Sequence, residues 1–195
     1  MGLLDGAERL PTIETERLRL RWLEASDAPS LFRIFGDAEV CRYWSRPPLE
    51  GLGAAEALRE EVVRRFAERA LFQWGIAERA SHRVVGTCTL ANLSAEHRRA
   101  ELGYALAREA WGLGYAREAL EGLLDFAFRR LALHRLEADV DPRNARSIRV
   151  LEGLGFTREG MLRERYHLLG EIQDAAMYGL LAREWAGSGA GGSVG

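Results

Sequence analysis

The stretch W-G-L-G-Y-A-R-E-A-L-E-G-L-L-D-F-A-F, from Trp111 to Phe128, constrains this chain more than any other. Gly112, Gly114 and Ala116 stand at alternate positions. From Ala116 onward, Ala119, Leu120, Leu123, Leu124, Ala127 and Leu131 fall on one face of a helix. A helix N-terminus carries unpaired N–H groups and about half a positive charge, so a chain that enters it without side chains in front makes an anion site. The same glycines also suit a tight turn before a helix, and the spacing alone leaves both readings open. Two other readings are weakened or excluded. Arg117 stands three residues after Gly114, which breaks a G-x-G-x-x-G dinucleotide fingerprint, and the G-K-[ST] of a P-loop is absent.

The flanking sequence sets the topology. Arg17 to Trp22 alternates apolar and charged residues, the period of a strand with one buried face. A helix follows with Asp27 as its N-cap, and Leu58, Val62 and Phe66 mark another over Ala54–Ala70. Leu71–Ala77, Val84–Leu93 and Glu101–Leu106 read as an antiparallel meander, separated by charged turns. After the long helix come a strand at Arg135–Val140, a shorter helix in N-A-R-S-I-R-V-L-E-G-L-G-F ended by Gly155, and closing strands at Thr157–Leu169 and Ile172–Leu181. The fold class is α/β (α+β): a mixed, mostly antiparallel central sheet flanked by helices, with one parallel strand-helix-strand unit. One domain over 1–185 and a flexible Gly/Ser-rich tail over 186–195 complete the expectation.

Composition narrows the function classes. A net charge of −2 gives no overall positive field for nucleic acid or an anionic membrane. All 27 basic side chains are arginine, which excludes a lysine Schiff base. Cys41 and Cys88 lie far apart and form no C-x-x-C pair, so they read as buried small hydrophobes rather than zinc ligands or a disulfide. His82, Cys88 and His97 lack a ligand spacing, and no metal is expected. The N-terminus shows no signal-peptide pattern and no segment has the length of a membrane span, so the reading is a cytoplasmic, reduced protein.

Trp111–Ala116, W-G-L-G-Y-A, resembles the phosphate-binding motif [QR]-x-x-G-x-[GA] of the GNAT family of acyl-CoA-dependent N-acetyltransferases, with tryptophan in its first position. That form is similar to the ribosomal-protein N-terminal acetyltransferase (RimJ/RimL-type) branch. The A-E-L-G-Y-A-L-A strand, the N-A-R-S-I-R-V-L-E-G-L-G-F helix and the opening T-E-R-L-R-L-R-W segment extend the likeness over about residues 12 to 185. The resemblance implies transfer of an acetyl group from acetyl-CoA to a primary amine, first of all a peptide or protein N-terminus. Small-molecule amines, and a non-catalytic acyl-CoA-binding regulatory role, are the alternatives. It places acetyl-CoA in a V-shaped opening between the fourth and fifth strands, with Trp111, Gly112, Leu113, Gly114, Tyr115 and Ala116 at its phosphates. Tyr104, Ala105 and Leu106 would flank its pantetheine arm, and Asn144 would contact the cofactor, although D-P-R-N by itself is as well explained by a helix cap. The acceptor amine is the expected partner, with neither membrane nor nucleic acid, and a homodimer is left open.

The same resemblance makes Glu101 the general base, although it would pair equally well with Arg98 or Arg99 in solvent. The family's usual acid, a tyrosine seven residues after the asparagine, is replaced by Leu151. Ser147, one helical turn from Asn144, is the substitute donor to sulfur, and its hydroxyl serves as well for a helix cap. Tyr166, His167, Glu171 and Asp174 are candidates for the amine pocket and equally for polar turn positions, while Tyr43, Trp44 and Trp74 either shape the pocket or, more in keeping with aromatic side chains, pack in the core. His134 and Glu137 are assigned to the fold.

Overall fold

The computed structural model describes residue 4 and residues 6–44, 46–168 and 170–187. Leu169 and the tail from residue 188 lie outside the described residues. One sheet holds eight strands: β1 (Ile13–Glu14), β2 (Leu18–Arg21), β3 (Leu71–Glu78), β4 (Val84–Ser94), β5 (Arg99–Leu106), β6 (Arg135–Val140), β7 (Thr157–Leu168) and β8 (Glu171–Leu181). Their order is β1-β2-β3-β4-β5-β6-β8-β7, and only the β5–β6 contact is parallel. The two-residue β1 has no signal in the sequence, and it makes the expected fourth and fifth strands β5 and β6. The helices are α1 (Ala28–Phe35), α2 (Ala38–Cys41), α3 (Leu52–Ala67), α4 (Tyr115–Asp125) and α5 (Ala145–Gly153). The helical rhythm running to Leu131 is carried by α4 and a wider π turn, Phe126–Arg130.

Alternation along the strands divides the core into two layers. Phe72, Trp74, Ile76, Cys88, Leu90, Leu102 and Leu136 meet Leu120 and Leu123 of α4 and Leu151 of α5. On the opposite face Leu71, Ala77, Val84 and Ala105 meet Leu31, Ile34 and Phe35 of α1 and Val62 of α3. β3 lies between both layers, which is why seven of its eight residues are buried. Burying each large side chain contributes about 1.5–3 kcal/mol, so both faces must be filled for the sheet to stand.

Local polar contacts fix the edges. Asp27 occupies the N-cap position of α1, but its carboxylate makes no capping bond there. It accepts instead from the Glu24 amide at 2.8 Å and from both Arg21 terminal nitrogens at 2.7 and 2.8 Å, tying α1 to β2. Both cysteines are buried, and burial pushes the Cys41 thiol up to about 11 and the Cys88 thiol higher still. Among the described residues no helix is long and apolar enough to cross a membrane.

Trp74 is fully buried, packs edge-on against Phe126 at 5.6 Å, and donates from Nε1 to the Pro11 carbonyl at 2.8 Å. It therefore pins the N-terminal arm to the sheet. Trp74→Phe removes that bond and leaves a void, with an expected loss of about 1–3 kcal/mol. Chemical denaturation checks it, and an unchanged midpoint would show that the arm is held elsewhere.

Candidate active site

The site begins where two neighbouring strands stop pairing. β5 and β6 are in register only over Arg99, Ala100 and Glu101 against Arg135, Leu136 and Glu137. That end is closed firmly: the His134 amide donates to the Arg98 carbonyl at 2.6 Å, and Glu137 takes Arg99 and Arg135 at 2.8 Å each. Arg135 also pairs with Glu159 on β7. Beyond Glu101 the strands part. The Ala107 amide donates to the Val85 carbonyl at 2.8 Å, so by antiparallel alternation the main-chain groups of Leu102, Tyr104 and Leu106 face the gap. Ala105 turns its own main chain toward Thr87 of β4, which separates it from Tyr104 and Leu106 as a cofactor contact.

The glycine-bearing turn stands next to this gap. Gly112 has φ +77° and Gly114 φ +80°, values that disfavour an L side chain, and a Cβ on Gly112 would meet open space. The first bond into α4 runs from the Glu118 amide to the Gly114 carbonyl at 3.1 Å. Among the described residues the amides of Gly114, Tyr115, Ala116 and Arg117 make no main-chain bond, and they form an open, positive helix end. Trp111 Nε1 donates to the Leu106 carbonyl at 2.9 Å, which fastens the turn to the end of β5. Arg146 of α5 lies over the Trp111 ring at 4.6 Å, restoring a cation beside the motif position that lacks one.

Arg17 braces the turn from β2's side. Its Nη1 donates to the Leu113 carbonyl at 2.9 Å and its Nε to Glu118 Oε2 at 2.6 Å. Glu118 Oε1 also accepts from the Thr15 hydroxyl and the Arg17 amide, each at 2.6 Å.

A cavity of about 530 Å³ opens from the gap over the sheet face that carries α1 and α3. Glu101, Tyr104, Asn144, Ser147, Leu151, Tyr166 and Asp174 all line it, and Tyr43 and Trp44 form part of its wall. Trp74 does not: it sits in the core on the other face. Glu171 and the exposed His167 also lie apart from the main cavity. Glu101 accepts from Asn92 Nδ2 at 2.7 Å, while Arg99 is taken by Glu137, so among the described residues no ion pair occupies the carboxylate. Asn92 reaches it from a β-bulge with φ +49°. Asn144 caps α5, its Oδ1 accepting from the Ser147 amide at 3.2 Å, and its side-chain amide donors remain available. Ser147 Oγ accepts from the Tyr104 hydroxyl at 3.1 Å, which leaves its own proton to give. Burial holds the Tyr104 phenol above its ordinary value. Tyr166 donates to Asp139, and burial, reinforced by that carboxylate, pushes it up to about 12, so it stays protonated at neutral pH. No group of three or more His, Cys, Asp or Glu converges as a metal site among the described residues.

The residues that sequence reasoning missed are Arg17, Asn92, Asp139, Arg146 and the Tyr104 hydroxyl. Arg17 belongs to an alternating strand whose charged positions read as solvent-facing, and nothing local marks it as a brace. Arg146 carried a faint signal, being on the same short helix as Asn144 and Ser147.

Residues 17–157 match the family model described as Acetyltransferase (GNAT) domain. The chain is 37% identical over 178 residues to the uncharacterized N-acetyltransferase p20 of Bacillus licheniformis, spanning 91% of this chain and all of that one. It is 30% identical over 158 residues to the spermidine N(1)-acetyltransferase of Vibrio cholerae, spanning 81% and 89%. The solved structure of Mycobacterium smegmatis RimJ in complex with CoA-disulfide shares the fold, with a TM-score of 0.82 at 24% identity over 89% of this chain and 88% of that one.

Burial works against the charge of Glu118, but the donors from Thr15 and Arg17 outweigh it and hold its carboxyl below the usual range. A lowered carboxyl adds stability above its unfolded value of about 4.3, and that stability is lost as pH falls through the lower folded value. Glu118→Gln should therefore cost about 1–2 kcal/mol at pH 7 and narrow its gap to the parent below about pH 4. Urea titrations at pH 7 and pH 3 check this; a gap of equal size at both would refute the charge-based account.

Proposed function

The chain belongs to the GNAT family of acetyltransferases, and from that premise we propose that it moves the acetyl group of acetyl-CoA onto a peptide or protein N-terminal α-amine by direct attack on the thioester. The coarser statement, acetyl transfer to an amine by an acetyl-CoA-dependent enzyme, follows from the family. The observation that carries the site assignment is a juxtaposition: an open helix N-terminus beside a strand edge that has lost its neighbour. An anionic head and an amide-bearing arm are what such a pair of features fits.

Acetyl-CoA supplies an acyl carbon activated by its thioester. The amides of Leu113, Gly114, Tyr115 and Ala116 would hold its pyrophosphate, with that of Arg117 behind them and Arg146 adding charge from the side. Tyr104 and Leu106 offer main-chain groups to the amides of the arm, and one of their N–H groups would polarise the thioester carbonyl. Asn144 contributes its free side-chain amide donors.

Glu101 takes the proton of the incoming ammonium, directly or through water. The demand is modest, because an α-amine of pKa about 7.7–8.0 is roughly a tenth neutral at pH 7, whereas a lysine-type amine near 10.4 would cost roughly 4–5 kcal/mol to deprotonate. As the carbon–nitrogen bond forms and the carbon–sulfur bond breaks, the attacking nitrogen sheds its second proton to solvent, and Ser147 Oγ, supported by the Tyr104 hydroxyl, gives the departing thiolate a hydrogen bond. Leu151, in the position of the usual acid, is buried and can give nothing.

Gly114→Val places a side chain at a φ of +80° in front of the helix end and should weaken coenzyme A binding at least tenfold by calorimetry. Glu101→Gln should lower kcat by roughly 10- to 100-fold, with the KM for acetyl-CoA within twofold. Both are read by thiol release with a panel of amines. Coenzyme A binding without turnover on any amine would favour a non-catalytic binding protein instead, and full-strength binding by Gly114→Val would overturn the phosphate assignment.

A further inference from the structure

The cavity is polar in an uneven way. At the gap end stand Glu101, Asp139 and Asp174, and among the described residues none of the three is ion-paired: Glu101 accepts from Asn92, Asp139 from the Tyr166 hydroxyl and Asp174 from the Glu164 amide. At the α3 end the carboxylate of Glu61 already holds Arg46 through two 3.0 Å bonds and has Arg65 at 3.9 Å, so that wall carries no spare negative charge. An ammonium is welcome at one end only.

Between the two ends lies Gln73. It is 8% exposed, lines the cavity, and has no hydrogen-bond partner for its side chain among the described residues. Its amide atoms are not among those sealed from solvent without a partner, so they open on the cavity, where a ligand would bond to them in place of water. Gln73 stands opposite Thr89 of β4, which also lines the cavity, and Thr89 stands opposite Gly103 of β5. Glu101 lies one row away, opposite Ala91 and through it Leu71. With strands about 4.8 Å apart and a rise of about 3.3 Å per residue, Gln73 sits roughly 12 Å from Glu101 along the sheet face. An extended chain of about three residues covers that span.

We propose that Gln73, with Thr89 beside it, reads a main-chain amide at the second or third peptide unit of the acceptor. The acceptor is then a polypeptide N-terminus and not a polyamine. This rests on the acetyl-transfer reading above and extends it. A peptide amide offers both a donor and an acceptor, which match the two halves of the glutamine side chain. A polyamine offers a second cation, which would lie beside Arg46, Arg65 and an uncharged amide.

The test compares an alanine-started tetrapeptide amide, alaninamide and spermidine as acceptors for the parent, Gln73→Leu and Gln73→Glu. For the parent, kcat/KM should be about tenfold higher for the tetrapeptide than for alaninamide, and higher for either than for spermidine. Gln73→Leu should reduce the length advantage to twofold or less, through KM more than kcat. Gln73→Glu should shift preference toward spermidine at least fivefold relative to the tetrapeptide. Coenzyme A binding, read separately by calorimetry, reports whether each variant is folded. If Gln73→Leu fails to fold, Gln73→Glu alone decides by the direction of its shift. A length advantage that survives both substitutions, or spermidine as the best parental acceptor, would overturn the proposal and leave acetyl transfer standing. Absence of acetylation on all three amines by a parent that binds coenzyme A would overturn the catalytic reading beneath it.

Discussion

The structure depends on β5 and β6 pairing for three residues and no more. Full pairing would have given an ordinary parallel sheet interior with every main-chain group satisfied and no place for a ligand. Three residues are enough to fix the relative position of the two strands, because the bond from His134 to Arg98 and the Arg99–Glu137–Arg135 ladder reinforce them at the closed end. The open end then has unpaired N–H and C=O groups at a defined spacing. Buried main-chain groups without partners are costly, so this gap persists only because it borders a cavity that solvent or a ligand can fill.

The second requirement is that α4 begin at the mouth of the gap with its first amides bare. Several contacts converge on that turn from different parts of the chain. Trp111 ties it to the end of β5, Arg17 holds the Leu113 carbonyl, and Glu118 gathers Thr15 and Arg17 beneath it. The brace keeps a positively charged side chain beside the helix end while leaving its amides without main-chain partners among the described residues. Positive charge near the site is therefore distributed over the helix end, Arg17 and Arg146, and the tryptophan that replaces the motif's polar first residue becomes a platform for one of these arginines.

Much of this was legible in the sequence because it is local. Helical and strand periodicity placed β3 to β8 and α3 to α5 within a few residues, and Arg135–Val140 to the residue. The two-residue β1 and the short α2 were missed because neither is long enough to show a period. The N-terminal cap was misread for the same kind of reason: Asp27 has the right type and position, but Arg21 competes for its carboxylate from a neighbouring strand. At the site, Gly112 and Gly114 could be seen in advance, since positive φ favours glycine wherever it occurs. Gln73 could not. It interrupts an otherwise apolar buried strand, and only the tertiary structure shows that its side chain opens on a cavity and not on a partner.

The division of the sheet into two faces explains why the reaction is easier to identify than the acceptor. The helix end and the gap present main-chain amides, features set by topology and by a few glycines. The cavity wall is made of side chains at alternating positions, Gln73, Thr89, Glu101 and Asp139 among them, and each can change without disturbing strand pairing. A likeness in fold and motif therefore carries the acetyl-transfer chemistry from one chain to another, while the charge and hydrogen-bonding pattern of the cavity must be read afresh in each. In this chain that pattern runs from acidic at the gap to neutral and basic at α3, and the proposed acceptor rests on this gradient.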